Sequence, residues 1–292
     1  MSADALKGQV AIVTGGGRGL GRAMVLGLAA GGVRVIVTAA REATEIERVA
    51  AEAGDGAIIP MIADVRNEQD CAHVVATALD RFGRVDLLVN NAGRGMKYVS
   101  EQFLTEPTRF WETDPDVWRM VIDTNVTGPF LMTRAAVPAM IAAGRGRIVN
   151  ITMNHATMRR RGFSPYGPSK AALESETIIW AQDLEGTGVT VNALLPGGAT
   201  ATGMIPDSLP QEARQGLLDP RVIVPPLLWL ASEASSGVTG RRLDASRWDR
   251  DMPDAEAAAA AAAMDDAGWS GDRKSTRLNS SHIQKSRMPS SA

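Results

Sequence analysis

The sequence is poor in cysteine, tyrosine and histidine: one, two and three occur in 292 residues, and aromatics make up only 4%. The lone thiol, Cys71, has no partner for an intrachain disulfide, which excludes a disulfide-stapled scaffold and points to a reducing compartment, the cytoplasm by default. Neither sign of charge is in excess. With 31 Lys plus Arg against 33 Asp plus Glu and a formal net charge of -2, the basic face that a nucleic-acid partner needs is not expected. Runs of about 18 uninterrupted apolar residues are lacking, which argues against a membrane span. The opening residues Met1 to Gly8 contain no apolar stretch, so no signal peptide is expected. Gly-X-Y periods, heptads and longer repeats are absent too, and no metal-binding cluster stands out.

What is present is an ordinary globular composition, 45% hydrophobic, able to bury a sizeable core. Near-continuous apolar runs at Val10 to Val13, Val35 to Val37, Ile58 to Ile62, Val85 to Val89, Ile148 to Ile151 and Val189 to Leu195 fit parallel strands covered on both faces. Helix-length segments such as Gly21 to Ala30 and Glu68 to Phe82 lie between them. That alternation predicts an α/β, Rossmann-type doubly wound sheet, with a seventh strand at Arg241 to Ala245. No linker divides the body, so residues 1–250 are expected to form one domain, followed by an Ala-rich extension over 251–271. Its alanine tract, Ala257 to Met264, reads as a solvated helical tail.

After Gly271 the composition changes abruptly. Asp272-Arg273-Lys274-Ser275-Thr276-Arg277-Leu278 and the residues onward to Ala292 resemble a translated synthetic sequencing-library adapter, so 272–292 are excluded from fold reasoning and the natural C-terminus is expected to differ. Without these residues the remaining body carries a net charge of -6.

Two local patterns carry chemistry. After the first strand comes Thr14-Gly15-Gly16-Gly17-Arg18-Gly19-Leu20-Gly21, leading into a helix whose Leu20, Met24 and Leu28 recur at core spacing. Glycines let a backbone approach a pyrophosphate, and a helix N-terminus offers free N–H groups. A glycine turn is weak evidence alone, and the strand-turn-helix context strengthens it. The second pattern is Tyr166 and Lys170. With two tyrosines and three lysines in the body, the chance of a Tyr followed by a Lys four residues on is roughly 0.02. On a helix the two share a face. An adjacent ammonium favours phenolate and is expected to lower the Tyr166 pKa toward working pH, suiting it to general acid or base work.

These motifs resemble the short-chain dehydrogenase/reductase family. Further matches, in the family's order, are Asp64-Val65, Asn90-Asn91-Ala92-Gly93, Asn125 in Asn-Val-Thr-Gly, Tyr166-Gly167-Pro168-Ser169-Lys170, and Pro196-Gly197 with Thr200 and Thr202, so the resemblance runs from about residue 7 to 248. It implies hydride transfer between a nicotinamide cofactor and a secondary alcohol or ketone. Gly15, Gly17, Arg18, Gly19, Leu20 and Gly21 would face the pyrophosphate and Asp64 and Val65 the adenine. Asn91, Ala92 and Gly93 would continue the cofactor site, and Pro196, Gly197, Thr200 and Thr202 would lie on the nicotinamide side. Lys170 would also hold the nicotinamide ribose, with Asn125 supporting a water relay. A homodimer or homotetramer through the helices after Asn125 and around Tyr166 is implied as well.

NAD enzymes place an acidic residue at the end of the second strand. Here Ala39 and Ala40 occupy that end, followed by Arg41. Arg18 and Arg41 are suited to a 2'-phosphate, so NADP is expected, with NAD the alternative and Arg18 as plain solvated charge the simpler reading. A clear departure lies thirteen residues before Tyr166, where the family has a catalytic Ser and this sequence has Met153. A thioether donates no hydrogen bond. Thr152, Asn154 and His155 are the candidate replacements. An extended strand would turn His155 to the side of Met153, and an ordinary loop histidine is the competing reading. The competing function is a dinucleotide-binding protein with impaired or redirected catalysis.

Segments 95–117 and 203–226 are expected to shape the substrate pocket. Arg159-Arg160-Arg161 lies near its mouth, suited to an acidic or phosphorylated substrate or simply solvated. Trp111, Trp118, Trp180 and Trp229 are expected to be packing residues.

Overall fold

The computed structural model describes residues 5–54, 56–207 and 209–262. The seven strands are β1 (Val10–Thr14), β2 (Arg34–Ala39), β3 (Ile58–Ile62), β4 (Leu87–Asn90), β5 (Gly146–Ile151), β6 (Val189–Leu195) and β7 (Arg242–Asp244). They form one sheet in the order β3-β2-β1-β4-β5-β6-β7, and every pairing is parallel, from Val10 opposite Arg34 to Leu195 opposite Asp244. The helices are α1 (Gly19–Ala30), α2 (Ala43–Ala53), α3 (Glu68–Phe82), α4 (Pro115–Ile122), α5 (Gly128–Ala142), α6 (His155–Met158), α7 (Tyr166–Asp183), α8 (Gln211–Arg214), α9 (Val224–Ala231) and α10 (Asp254–Ala261). This is the doubly wound architecture expected from the alternation of apolar runs.

Side-chain alternation along each strand feeds two cores, one on each face of the sheet. On one face Ala11 and Val13 pack with Met24 and Leu28 of α1, Ile46 of α2 and Leu227 of α9. On the other, Val10 and Ile12 pack with Val74 of α3, Met132 and Met140 of α5 and Ile148. Each fully buried aliphatic side chain contributes about 1.5–3 kcal/mol. Local signals set the helix ends: Asn67 Oδ1 caps α3 by accepting from the backbone N–H of Gln69 and Asp70, at 2.8 and 3.2 Å, and Gly83, at φ 74°, ends it.

Two expectations are corrected, and a third lies outside the described residues. The alanine tract is no solvated tail: Ala257, Ala258 and Ala261 of α10 are buried, and Ala262 bridges Leu243 of β7. Small side chains allow this close approach of helix to sheet. Trp111 and Trp118 are 67% and 42% exposed rather than packed, whereas Trp229 is buried. The stretch 272–292 lies outside the described residues.

The order of strands reverses direction of winding between β1 and β4. A crevice opens there at the carboxyl ends of the strands, the place where open α/β sheets bind ligands.

Candidate active site

The turn from β1 into α1 forms a backbone cradle. Gly15 and Gly19 have φ of 65° and 55°, and a Cβ on Gly21 would lie 2.3 Å from the Gly15 carbonyl oxygen and 2.6 Å from Asn91 Nδ2. Only hydrogen fits. Asn91 Nδ2 donates to the carbonyls of Thr14 and Gly15, both at 2.9 Å, while Thr14 Oγ1 accepts from the backbone N–H of Asn91 and Ala92, both at 3.0 Å. The end of β4 is thereby stitched to the glycine turn. No acidic residue lies in the first turn of α1, so its N-terminal dipole is left for an anion.

A cavity of about 540 Å³ extends from this cradle. Gly15, Gly17, Arg18, Gly19, Leu20, Gly21, Arg41, Asp64, Val65, Asn91, Ala92, Gly93 and Thr202 all line it, as do Glu42, Glu45 and Met204. The size, the glycine floor and the helix N-terminus fit a nicotinamide dinucleotide. Tyr166 and Lys170 of α7 stand outside this lining, as do Pro196, Gly197 and Thr200. Gly197 packs against Asp244 and Ser246, and buried Thr200 bridges Leu218, so these residues form the base of the 203–226 segment.

Beyond the end of β3, Arg66 grips Asp64 through Nε at 3.0 Å and Nη2 at 2.6 Å. This hydrogen bonding, ahead of the opposing effect of burial, holds the Asp64 carboxyl below its ordinary pKa. Arg18 Nη1 lies 3.6 Å from Glu45 Oε1. Glu45, on the first turn of α2, is the acidic residue that inspection of the end of β2 misses.

The chemical face belongs to α7. Tyr166, Lys170 and Glu174 follow one another at four-residue spacing, and Lys170 and Glu174 are buried. Lys170 Nζ donates to the Ile151 carbonyl at the end of β5, at 2.7 Å. Burial lowers its pKa to about 8, with the Glu174 carboxylate opposing. The Tyr166 hydroxyl hydrogen-bonds Met204 Sδ at 3.9 Å, and burial pushes its pKa up to about 12. The expected lowering by Lys170 is thus reversed: desolvation of the phenolate dominates, and the ammonium is turned to a carbonyl. Met204 also lies 3.7 Å from where a Cβ on Gly93 would be, so it joins the Tyr166 hydroxyl to the dinucleotide cavity. Asn125 sits in the wide helical turn Asp123–Thr127. Its Oδ1 accepts from Arg94 N–H at 2.8 Å, and its Nδ2 donates to the Arg94 carbonyl at 3.0 Å and Ser169 Oγ at 2.9 Å.

Residues 9–213 match the family model described as short chain dehydrogenase. The chain belongs to the short-chain dehydrogenase family. It is an oxidoreductase of CH–OH and C=O groups that uses a nicotinamide dinucleotide. It is 40% identical over 195 residues, 66% of this chain and 75% of the relative, to a 3-oxoacyl-[acyl-carrier-protein] reductase of Synechocystis sp.. Identity to an acetoacetyl-CoA reductase of Rhizobium meliloti is 33% over 246 residues, 82% of this chain and 97% of the relative. Among solved structures, a 3-ketoacyl-(acyl-carrier-protein) reductase from Brucella melitensis complexed with NADH superposes with a TM-score of 0.73 at 32% identity, covering 82% of this chain and 97% of that one.

In this short-chain dehydrogenase, Met153 is buried in an apolar cluster with Met96, Phe103, Met158 and Phe163, against which Tyr166 packs. The expected alternation from Met153 to His155 does not continue. Strand β5 ends at Ile151, Asn154 Oδ1 caps α6 by accepting from Thr157 N–H at 2.8 Å, and His155 begins that helix with Nε2 2.7 Å from Glu174 Oε2. Glu174 Oε1 accepts from Arg242 Nε at 2.8 Å, and Arg242 Nη2 donates to the Met153 carbonyl at 2.8 Å. Thr152 Oγ1 is buried without a hydrogen-bond partner among the described residues. Glu174 and Arg242 are the neighbours sequence reasoning missed. The i, i+4, i+8 spacing from Tyr166 would have found Glu174; nothing local would have found Arg242.

Proposed function

We propose that the chain reduces a ketone to a secondary alcohol, with NADPH preferred to NADH, Tyr166 as general acid, and the reverse oxidation available through the same groups. The observation that carries this is Met204, which lines the dinucleotide cavity beside Gly93 and hydrogen-bonds the Tyr166 hydroxyl. When bound, the dinucleotide supplies the hydride. The chain's own residues do the rest. The neutral Tyr166 phenol, with its pKa near 12, is poised to donate its proton to the forming alkoxide, while Lys170, held at the end of β5, lies one helical turn along the same face. Asn125, whose side chain holds the Arg94 backbone beside the cavity, would support a water relay. Arg41 and Arg18 support a 2'-phosphate. The relatives named as 3-oxoacyl-[acyl-carrier-protein] and acetoacetyl-CoA reductases support a β-keto acyl thioester as the ketone.

The test is NADPH oxidation against a panel of ketones and β-keto thioesters. Tyr166→Phe is expected to lower kcat by about 10²- to 10⁴-fold, and unchanged turnover would refute the mechanism. Met153 favours a second reading, a dinucleotide-binding protein with weak or redirected chemistry, which gains if only Met153→Ser turns over. Half-exposed Trp118, Phe130, Ile141 and Ile179 on α4, α5 and α7 support a homodimer or homotetramer through these helices. Among the described residues no helix is long and apolar enough to cross a membrane, and a cytoplasmic location, a single 1–250 catalytic domain and an appended 251–271 extension complete the proposal.

A further inference from the structure

Arg159, Arg160 and Arg161 follow α6 as three consecutive exposed arginines. Among the described residues none of them forms an ion pair. They border a cavity of about 430 Å³ whose opposite side is built by Thr108, Arg109, Phe110 and Trp111. Phe110 and Trp111 are 69% and 67% exposed and meet edge to face at 5.2 Å. Large rings left this open, beside like charges that repel, are unusual for a surface with no ligand.

The pocket is built rather than incidental. Thr108 Oγ1 donates to the Gly162 carbonyl at 2.8 Å, and Phe103 meets Phe163 at 5.8 Å. Gly162, at φ 80°, lets segment 107–108 approach so closely that a Cβ there would lie 2.9 Å from Pro107 Cα. Met158 and Phe163 line this cavity and also belong to the apolar cluster that holds Met153 and Tyr166. One wall therefore separates the pocket from the chemical face.

We propose that this pocket receives the phosphorylated nucleoside tail of the substrate, making the ketone a thioester of the coenzyme A class. The inference rests on the ketone-reductase reading above. Guanidinium forks match phosphate oxygens in pairs, and exposed aromatic faces match a flat base. The volume falls in the range of small-molecule sites, about 300–1,000 Å³, whereas an acidic carrier protein would need a broad surface burying about 1,000 Å² or more in total.

The test is titration of adenosine 3',5'-bisphosphate into the full chain by calorimetry, with saturating NADP⁺ to keep the probe out of the cofactor cavity. Saturable binding is expected, weakened at least tenfold in the Arg159→Gln/Arg161→Gln double variant and by Trp111→Ala. The ratio of kcat/KM for acetoacetyl-CoA to that for the N-acetylcysteamine thioester, which lacks the nucleotide, is expected to fall at least tenfold in the double variant. An unchanged ratio overturns the proposal, as does a preference confined to the carrier-protein thioester. Reduction of the truncated thioester with no bisphosphate binding overturns the pocket and leaves ketone reduction standing. Bisphosphate binding without reduction of either thioester overturns ketone reduction and, with it, the assignment of the tail.

Discussion

Arg242 reaches from β7 to the Met153 carbonyl, 2.8 Å away, and so fixes the backbone at the residue we propose stands in place of the family's catalytic serine. The same arginine is held by Glu174, which also engages His155. The backbone there is preorganised although the side chain donates nothing. Removing one hydrogen-bond donor to a developing oxyanion costs about 2.7–4 kcal/mol, or about 10²- to 10³-fold. Met153→Ser is therefore expected to raise kcat on a ketone by up to that factor. In the same background Arg242→Ala should cancel most of the gain, because the hydroxyl would then lack a fixed backbone. Steady-state kinetics of the single and double variants decide it; a serine variant no faster than the natural chain would show that another group already supplies the donor.

The two groups of the Tyr166–Lys170 pair are shifted in opposite directions by the same burial, and this predicts the pH profile of reduction. A raised tyrosine pKa, about 12, keeps the phenol protonated throughout the working range. A lowered lysine pKa, about 8, means the ammonium is present below that pH and lost above it. Reduction by the protonated pair should hold level at neutral pH and decline above about pH 8. Glu174 favours the charged lysine, so Glu174→Gln should move the decline to lower pH. In Lys170→Arg, whose guanidinium does not titrate, whatever activity remains should show no such decline. A decline at the same pH in all three proteins would assign it to a different group.

Much of this was legible in the sequence, and what was not follows a pattern. The strands were readable because parallel strands covered on both faces are apolar throughout, as Val189 to Leu195 shows. The cradle was readable because Gly21 has no alternative to glycine. Contacts between distant segments were not readable. Nothing near Met153 announces Arg242, which lies 89 residues away, and the end of β2 does not announce Glu45, which arrives from the next helix. The Tyr166 shift runs against the spacing for a related reason: spacing shows that a lysine is near, but only the packed structure shows that its ammonium faces Ile151 and that the phenol is desolvated.

The alanine-rich helix α10 offers a test of packing. A solvated tail would accept charge, but Ala261 is fully buried and its neighbour Ala262 bridges Leu243 of β7. Ala261→Asp would bury an unpaired carboxylate and is expected to cost several kcal/mol, seen as a drop in Tm. The exposed Glu256 on the same helix provides the control, since Glu256→Ala should change stability by less than about 0.5 kcal/mol. Equal Tm values for both variants would mean that the helix is undocked in solution.

Cofactor preference turns on a contest between two side chains at the mouth of the cavity. Arg18 lies 3.6 Å from Glu45, and this exposed pair is weak, about 0–1 kcal/mol. Arg41 lines the same cavity and is paired with neither Glu42 nor Glu45 by any ion pair among the described residues. A 2'-phosphate would draw on both arginines, whereas a ribose 2'-hydroxyl would favour the carboxylate. Arg41→Ala is expected to raise KM for NADPH about tenfold or more with little change for NADH, tenfold being about 1.4 kcal/mol. Glu45→Gln should shift the ratio the other way, releasing Arg18 to the phosphate and removing the acceptor that a hydroxyl would use. If Glu45→Gln weakens NADH strongly while Arg41→Ala leaves NADPH untouched, Glu45 is the residue that selects the cofactor, and the enzyme prefers NADH.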